Sequence, residues 1–482
     1  MAPPPATMSS SPEEVGGGTT SGGLRALVAV TGLSLFNFGY NTASISGALL
    51  YIDTENFDCE GEAVCLTGSF AKGCVVSSCL LGGCLGALFA GSLADRWGRR
   101  LVLLGNNFFY IVGPIGMALA PGVVFLVAAR MVTGIGVGIA SALVHVYISE
   151  IVPASRRGEH GAILVLLGSG GILVANLVAY ALGHQWRFVL GLSCLPAAAQ
   201  LLIGPWVMPE SPRWLQTRSL RPGAAVSARA LVAAAAQDLP CQQPPSPPPS
   251  SQAQNGGGED GGWRALFLAL RSGEARQPLL VGAGLQILQQ ISGINVAVYY
   301  GPKIFTMAHF SDGASIFLSA SVSGAQLAAT LLLSQVVDRV GRRIMSYIGC
   351  ALMALSLVAL GVAFLLPSGS AMGWLALSAV LFFRVAFSLS LGPLPYIICA
   401  EIFPGRYRAA GVSLCWGINW ISNFVVSLTF LPLLRVLSES GTFFAYAAVC
   451  VLAIAFVKLR VPELAGRSLD EEAAEAGEEA PA

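Results

Sequence analysis

The sequence predicts an all-α membrane protein in which twelve transmembrane helices form two pseudo-symmetric six-helix bundles, with short cytosolic helices beside them. Three observations predict this fold. First, 54% of the 482 residues are hydrophobic and 11% are charged, with a mean hydropathy of +0.69, whereas soluble domains carry about 25% charged residues. Second, apolar stretches near or above the ~20 residues that a spanning helix needs recur along the chain. Third, motifs of the first half return in the second half in the same order.

Twelve apolar stretches account for the predicted spans. They cover residues 24–50, 68–93, 101–120, 122–148, 160–182, 187–208, 278–301, 314–337, 344–366, 373–400, 408–434 and 441–460. Composition divides the rest of the chain, because Pro, Gly, Ser and acidic residues predict segments without a packed core. The predicted parts are a disordered cytosolic tail (1–23), a first bundle (24–215), a partly helical and partly Pro/Gly-rich cytosolic linker (216–264), a second bundle (265–470) and an acidic tail (471–482).

Arginine-rich loops set the expected orientation, because lysine and arginine in short loops mark the cytosolic side. Arginines follow the even-numbered spans: Arg96, Arg99 and Arg100; Arg156 and Arg157; Arg339, Arg342 and Arg343; Arg406 and Arg408. Residues 53–67, after the first span, hold five acidic residues and no lysine or arginine. The pattern therefore places the loops after even-numbered spans, and both termini, in the cytosol.

The charged loops also repeat between the halves. Residues 95–100, DRWGRR, return as residues 338–343, DRVGRR. The acids that recur at matching positions are Asp95 with Asp338 and Glu150 with Glu401. We expect these acids to pair with the arginines and to form a cytosolic gate, because a network of ion pairs can bias two states that differ by a few kcal/mol. The alternative is that the arginines only set the topology.

A polar stretch inside an apolar span is the leading candidate for ligand binding. Residues 289–295, QQISGIN, lie within the apolar segment 278–305. An unsatisfied polar group in lipid costs several kcal/mol. Gly293 permits a helix break that would let Gln289 and Asn295 point into the same cavity. Amides both donate and accept hydrogen bonds, which suits a neutral polyhydroxylated ligand. The alternative is that the amides join neighbouring helices.

Other function classes find no support in the sequence. The net charge of +1 gives no indication of a nucleic-acid partner, and the 11 cysteines show no metal-ligand spacing. No nucleophile–base set or phosphate-binding loop predicts an enzyme, and nothing predicts a cofactor. Cys59 and Cys65 share one polar loop, where a disulfide stays an open alternative to two thiols.

In combination, five motifs resemble those of the sugar porters of the major facilitator superfamily, which include facilitative glucose transporters and proton-coupled sugar symporters. The motifs are GSLADRWGRR (91–100), PESPRWL (209–215), QQISGIN (289–295), GPLPY (392–396), and VPE with GR (461–463 and 466–467). The resemblance runs from about Leu24 to Glu471. It implies the twelve-helix major facilitator fold and transport of a small sugar by alternating access.

The resemblance also implies which residues contact the sugar. They are Gln289, Gln290, Asn295, Gln326, Phe387, Tyr396, Asn419 and Trp420, with Tyr299 and Tyr300 at an exofacial gate. Two departures weaken the assignment of a particular hexose. Val165 stands where most members have a sugar-binding glutamine. Arg384, inside the tenth span, either shares the face of Phe387 or reaches towards the outer surface.

The first span bears on proton coupling. In proton-coupled relatives an aspartate usually stands at the position of Asn41 and pairs with the arginine that corresponds to Arg130. Asn41 cannot titrate, so the lone His145 is the remaining candidate proton carrier. The resemblance therefore implies a facilitator of a monosaccharide, a hexose such as glucose, that acts as a monomer in the plasma membrane. A polyol or myo-inositol carrier, a proton-coupled symporter and a non-transporting sensor stay open as alternatives.

Overall fold

A computed structural model describes residues 21–52, 66, 68–152, 156–219, 259–340, 342–404 and 407–461. The described elements of the first half are eight helices, of which α6 and α7 together form the sixth span. They are α1 (Ser21–Tyr51), α2 (Ser69–Trp97), α3 (Arg99–Ala118), α4 (Val123–Ile151), α5 (Arg157–Leu182), α6 (Trp186–Gly191), α7 (Cys194–Val207) and α8 (Pro212–Ser219). Residues 1–20 and 471–482 of the predicted tails, most of the predicted linker and the Cys59–Cys65 alternative lie outside the described residues. Residues 21–23, predicted as the end of the disordered tail, are instead the start of α1.

The second half contains nine described helices, and two of its spans are broken. They are α9 (Glu259–Ser272), α10 (Arg276–Ile291), α11 (Ile294–Tyr299), α12 (Gly301–Met307), α13 (Asp312–Val340), α14 (Arg342–Ala363), α15 (Ser370–Ser388), α16 (Leu394–Ile402) and α17 (Arg408–Arg460). The seventh span is α10 with α11, and the tenth is α15 with α16. The helix α17 bends at Ser438, which has a φ of 64°.

The helices are long and apolar enough to confirm the predicted twelve spans. Ten stretches of the described residues qualify, and the last of them, Ala410–Arg460, has 51 residues. At 1.5 Å per residue that stretch is about 76 Å long, which is enough for two crossings of a hydrocarbon core about 30 Å thick. The 31-residue helix α1 supplies the remaining span. Many large apolar side chains are exposed, with Trp206 at 89%, as expected for a surface that faces lipid.

Successive spans alternate in direction, which gives the molecule two distinct sides. We name the side with the α2–α3 connection at Gly98 the basic side, because Arg99 and Arg100 begin α3 there. The opposite side, where α1 and α5 end and where α13 and α15 begin, is named the far side.

The two halves pack along α2 against α17 and along α5 against α13. Two glycines of α2 allow the first contact. A Cβ at Gly73 would lie 2.8 Å from the main-chain oxygen of Leu428, and a Cβ at Gly83 would lie 2.8 Å from the ring of Trp420. Small residues are the usual means by which membrane helices approach closely.

Two helix breaks face each other in the second half. Gly293 separates α10 from α11 with a left-handed φ of 86°, so the break predicted at this glycine is confirmed. The second break lies between Ser388 and Leu394 in the tenth span. Non-helical backbone at membrane depth is tolerated only where protein buries it or where it lines a cavity. The two breaks are therefore expected to lie at the centre of the molecule, buried by neighbouring helices or lining a cavity.

Candidate substrate site

Gln289 joins the two helix breaks. Its Nε2 donates to the main-chain oxygens of Leu391 (2.7 Å) and Gly392 (2.9 Å). The helical partner of Leu391 would be the N–H of residue 395, but Pro395 has none. Gln289 is 1% exposed, and buried polar groups need partners. This side chain therefore supplies the backbone bonds that the broken tenth span lacks.

The other end of Gln289 belongs to a cluster of amides. Its Oε1 accepts from Asn419 Nδ2 (2.6 Å), Tyr396 OH (3.2 Å) and Gln290 Nε2 (3.2 Å). Gln290 Nε2 also donates to Asn419 Oδ1 (3.0 Å), and Gln290 Oε1 accepts from Asn295 Nδ2. The break thus brings the predicted amides together from both sides of Gly293. Because each amide donates and accepts, ligand hydroxyls can exchange with these mutual bonds.

The amide cluster lines a cavity of about 300 Å³ between the halves. This volume is at the lower end of the range of about 300–1,000 Å³ for small-molecule sites. Lining residues predicted from the sequence are Gln289, Gln290, Asn295, Tyr299, Gln326, Phe387, Tyr396, Asn419 and Trp420. Among the described residues that line the cavity there is no aspartate or glutamate.

The two predicted gate tyrosines lie in different places. Tyr299 lines the cavity, and its hydroxyl accepts from Asn423 Nδ2 at 3.5 Å. Tyr300 is fully buried outside the lining, where its hydroxyl donates to the main-chain oxygen of Ser427 (2.8 Å). Its ring packs on Phe430 with centroids 4.9 Å apart. Tyr299 is therefore the member of the pair that faces the cavity.

Aromatic rings form part of the cavity wall. The rings of Tyr396 and Trp416 stack with centroids 4.4 Å apart and planes at 17°. Phe38 of the first half meets Trp420 edge-on at 6.4 Å. Trp416 and Phe38 were not predicted from the sequence. Trp416 precedes Trp420 by four residues on one helix, and this spacing was a usable signal, because residues four apart share a helix face.

The first half contributes a less polar wall. Thr42, Ser141 and His145 line the cavity, and the first two were not predicted from the sequence. Both hydroxyls donate to the backbone of their own helices, at 2.7 Å and 2.8 Å, so their lone pairs stay available. Val165 is 44% exposed but is not among the described lining residues, whereas Ile172, two turns further along α5, is.

Asn41 and Arg130 are both buried, with separate partners. Asn41 Nδ2 donates to the main-chain oxygen of Asn37 (2.9 Å), and its Oδ1 has no partner among the described residues. Arg130 lines the cavity, and its Nε donates to the main-chain oxygen of Val75 (2.8 Å). Among the residues that the structure describes, Arg130 makes no hydrogen bond to Asn41 and no ion pair with a carboxylate.

Arg384 is only 2% exposed, so it does not reach the outer surface. This corrects one of the two readings of the sequence. Its Nε donates to Gln326 Oε1 (2.8 Å), and its Nη1 donates to Ser323 Oγ (3.2 Å). Its Nη2 is buried without a partner among the described residues.

On the basic side, Glu210 caps the start of α3. Its Oε1 accepts from the backbone N–H groups of Arg99 (2.9 Å), Arg100 (3.1 Å) and Ser211 (2.9 Å). A carboxylate at a helix N-terminus satisfies unpaired N–H groups and complements the helix dipole. Gly98 leaves room for it, because a Cβ there would lie 2.4 Å from Glu210 Oε2. The sequence shows this Pro-Glu pair twice, at residues 209–210 and 462–463 after the last span of each half, but its role as a helix cap was not predicted.

Arg99 joins two of the predicted gate acids. Its Nη1 lies 2.7 Å from Asp95 Oδ1, and its Nε lies 3.2 Å from Glu150 Oε2. Glu150 also accepts from Ser211 Oγ. These contacts connect α2, α3, α4 and α8 within the first half. Arg96 is exposed.

The matching residues of the second half are described only in part. Arg343 Nη2 donates to the main-chain oxygen of Lys458 (2.9 Å), and its Nε donates to Tyr347 OH (2.9 Å). Arg408 Nε donates to the main-chain oxygen of Phe403 (2.8 Å), and Arg156 is exposed. The predicted gate residues whose side chains lie outside the described residues are Arg157, Asp338, Arg339, Arg342, Glu401 and Arg406.

Two helical halves around a central polar cavity, with broken spans at the cavity wall, define a membrane transporter. A comparison with protein families agrees. The profile of the family described as "Sugar (and other) transporter" matches residues 26–475. The chain belongs to this family, the sugar porters of the major facilitator superfamily, whose members are transporters and not enzymes.

Similar proteins include sugar carriers from plants and bacteria. The plastidic glucose transporter 4 of Arabidopsis thaliana is 33% identical over 460 residues, which cover 94% of this chain and 80% of that protein. The arabinose-proton symporter of Escherichia coli is 32% identical over 449 residues, which cover 92% and 90%. The partially occluded inward-open structure of the xylose transporter XylE from E. coli has a TM-score of 0.73 at 27% identity and covers 93% and 100%.

Proposed function

We propose that this sugar transporter is a uniporter that carries a neutral monosaccharide, a hexose such as glucose, down its gradient. The observation that carries the proposal is an amide cluster in a cavity without a carboxylate among its described lining residues. Amides hydrogen-bond hydroxyls in either direction. The relatives' names support a monosaccharide, and the name of the plastidic glucose transporter supports a hexose.

The residues of the cavity have different proposed roles in sugar binding. Gln290, Asn295 and Asn419 offer amide groups to the sugar hydroxyls, and Gln289 holds them in place from behind. Tyr396, on which Trp416 stacks, offers an aromatic face to the apolar face of the sugar ring. Phe387 and Trp420 complete the apolar wall.

The uncoupled mechanism rests on residues of this chain, since one relative is named a proton symporter. Asn41 holds an amide at the position where coupled relatives usually have a titrating aspartate, and an amide carries no exchangeable charge at working pH. Arg130 keeps its proton because arginine is not deprotonated in proteins. His145 lines the cavity and is the remaining group that can carry a proton in a coupled mechanism.

We also propose a topology and a gate. The basic side faces the cytosol, as arginine-rich short loops do, and both termini lie there in the plasma membrane. The ion pairs of Arg99 with Asp95 and Glu150 stabilise the cytosolic side of the first half, where it closes on the second. Tyr299 lies at the exofacial gate. One chain suffices for transport, because a single chain encloses the cavity.

Counterflow in vesicles tests the proposal. Purified protein in liposomes preloaded with unlabelled sugar should exchange labelled glucose with saturation. The same measurement is made with xylose, arabinose and myo-inositol, each as the preloaded sugar and as a competitor of glucose. Their relative rates give the substrate preference of the transporter. A preference for myo-inositol would replace the hexose by a polyol, and the absence of exchange with all four would favour the non-transporting sensor.

A further inference from the structure

A row of polar side chains continues from Arg384 across the boundary between the halves. Ser323 Oγ, which accepts from Arg384 Nη1 (3.2 Å), also accepts from Asn176 Nδ2 of the first half (3.2 Å). Asn176 Oδ1 in turn lies 3.2 Å from Ser46 Oγ of α1, whose single hydrogen is shared with the main-chain oxygen of Ala43 (2.6 Å). We name Ser46, Asn176, Ser323 and Arg384 the far-side row.

The hydrogen-bonding capacity of the middle of this row is fully used. Ser323 donates its own hydrogen to the main-chain oxygen of Ser319 (2.8 Å), so both of its lone pairs serve Arg384 and Asn176. The second N–H of Asn176 goes to the main-chain oxygen of Ile172 (3.1 Å). All of these polar groups are buried. Separating Asn176 from Ser323 therefore leaves a buried donor and acceptor unpaired unless water or substrate replaces them.

The far-side row lies between the cavity and the far side. Ser46 is five residues before the end of α1, and Asn176 is six residues before the end of α5. At 1.5 Å per residue these positions are about 8–9 Å from the helix ends. Still nearer the far side, the rings of Tyr180 and Phe317 meet across the same boundary with centroids 5.3 Å apart. The halves are thus in contact on this side of the cavity.

The other end of the row fixes a cavity residue. Gln326 lines the cavity, and its Oε1 accepts from Arg384 Nε (2.8 Å). Because arginine can only donate, the oxygen of this amide must face Arg384. The Nε2 of Gln326 is then the group that remains for a ligand. The adjacent positive charge also polarises the amide and strengthens its N–H as a donor.

We propose that Arg384 is a positioning residue that connects substrate binding to the far-side gate. It presents Gln326 Nε2 to the substrate, and through Ser323 it holds the contact with Asn176 that keeps the far side closed. When the far side opens, Asn176 leaves with α5, while Arg384, Gln326 and Ser323 stay together on the second half. The proposal rests on the proposed transport function and adds a regulation of the same site.

Three substitutions separate the two roles of Arg384. Asn176→Ala removes the contact between the halves and keeps Gln326 in place. Gln326→Met removes the amide and keeps the contact. Arg384→Met removes the support of both, and Ser378→Ala, an exposed residue on the same helix, is the matched control.

Two readouts are taken for each variant. Counterflow gives KM and kcat for the transported sugar. Labelling by a membrane-impermeant thiol reagent from the far side reports opening, with the probe at Ala320→Cys, a buried position on α13. Cys59 and Cys65 are replaced by serine in this background, since both follow the far-side end of α1 in the sequence. Labelling of the same background without Ala320→Cys is subtracted, because Cys79 lines the cavity and Cys74 is half-buried near the start of α2.

The expected results differ among the variants. Asn176→Ala should raise the labelling rate severalfold and leave KM within about twofold, while Gln326→Met should raise KM about tenfold and leave labelling unchanged. Arg384→Met should do both, and Ser378→Ala neither. Arg384→Lys keeps the charge but has no planar fork for two acceptors, so it should show both effects more weakly, and it replaces Arg384→Met if that variant does not fold.

Results of the opposite kind overturn the inference. An arginine variant that changes KM alone, or labelling alone, would show that Arg384 does not connect the two. Equal effects of Asn176→Ala and Gln326→Met on both readouts would indicate a general loss of packing. Failure of the proposed function is recognised separately, because the unmodified protein would then show no counterflow while the labelling readout still works.

Discussion

At the scale of single residues, Gln289 and Asn295 look alike in the sequence but have different environments. Gln289 supplies bonds to two main-chain oxygens and accepts from three side chains. Asn295, at the cavity wall, forms a hydrogen bond to one side chain of the described residues, Gln290. The sequence could nominate both, because amides are rare in apolar spans. It could not separate a ligand contact from a support, since this distinction depends on the break in the tenth span.

Asn295→Ala should weaken sugar binding and leave the fold intact. The variant loses hydrogen bonds to the ligand, which are worth about 1–3 kcal/mol, so we expect KM to rise by roughly tenfold to a hundredfold. Counterflow kinetics and thermal unfolding in detergent measure the two effects. A variant with unchanged KM would remove Asn295 from the site.

Gln289→Ala should lower both uptake and stability. The substitution leaves the main-chain oxygens of Leu391 and Gly392 without their donor, at a cost of about 1–3 kcal/mol for each buried group. Gln289→Glu is the control of matched shape, because an ionised carboxylate also has no hydrogen to donate. Thermal unfolding should place both variants below Asn295→Ala, and equal stability of all three would contradict the supporting role.

At the scale of helices, the length of the apolar stretches predicted every span, because a bilayer demands about 20 apolar residues whatever the packing. Gly293 predicted the break of the seventh span. The break of the tenth was missed, although Pro393 and Pro395 both mark it. Val165 is off the described cavity wall while Ile172 is on it. Residues seven apart share a helix face, so the difference is one of position along α5, about 10 Å at 1.5 Å per residue, and not of composition.

The start of α3 offers a test with an internal control. Gly98 has a φ of 101° and a ψ of 153°, a region that residues other than glycine enter at about 1–3 kcal/mol. Gly98→Ala also brings a Cβ to 2.4 Å from Glu210 Oε2. We expect Gly98→Ala to lower the free energy of unfolding by at least this backbone cost of about 1–3 kcal/mol, measured by thermal denaturation in detergent.

Gly105→Ala is the matched substitution within the same helix. No atom lies within 4 Å of the Cβ that it would add, and its φ is ordinary. It should therefore leave stability unchanged or raise it by up to about 1 kcal/mol, because alanine is the better helix former. Equal melting temperatures for the two variants would show that the Glu210 cap does not depend on Gly98.

At the scale of the whole molecule, the duplicated motifs predicted two halves, and the amides predicted the second-half wall of the cavity. The far-side row was not predictable, because Ser46, Asn176 and Ser323 are separated by more than a hundred residues at each step and carry no shared motif. A polar contact between the halves becomes visible only once the bundles are placed side by side. The partner of Arg130 was not predictable either, because it is a main-chain oxygen of α2 within the first half.

Transport by the whole molecule should be independent of protons. Asn41 has no titrating group, and no carboxylate is among the described residues that line the cavity. Sugar added to lightly buffered vesicles should therefore leave the external pH unchanged, and a proton uncoupler should leave uptake unchanged. His145→Ala should show the same indifference to protons. Alkalinisation of the medium that disappears in His145→Ala would instead identify His145 as the carrier.

Asn41→Asp completes this test. A carboxylate at position 41 would be buried with no arginine paired to it among the described residues, and its charged form would pay for desolvation without compensation. We expect reduced stability and no proton movement with sugar, since coupling also needs a path for the proton and a second state that binds it. Sugar-driven proton uptake by this variant alone would show that Asn41 and Arg130 come together during the cycle, and that the asparagine is what keeps the native protein uncoupled.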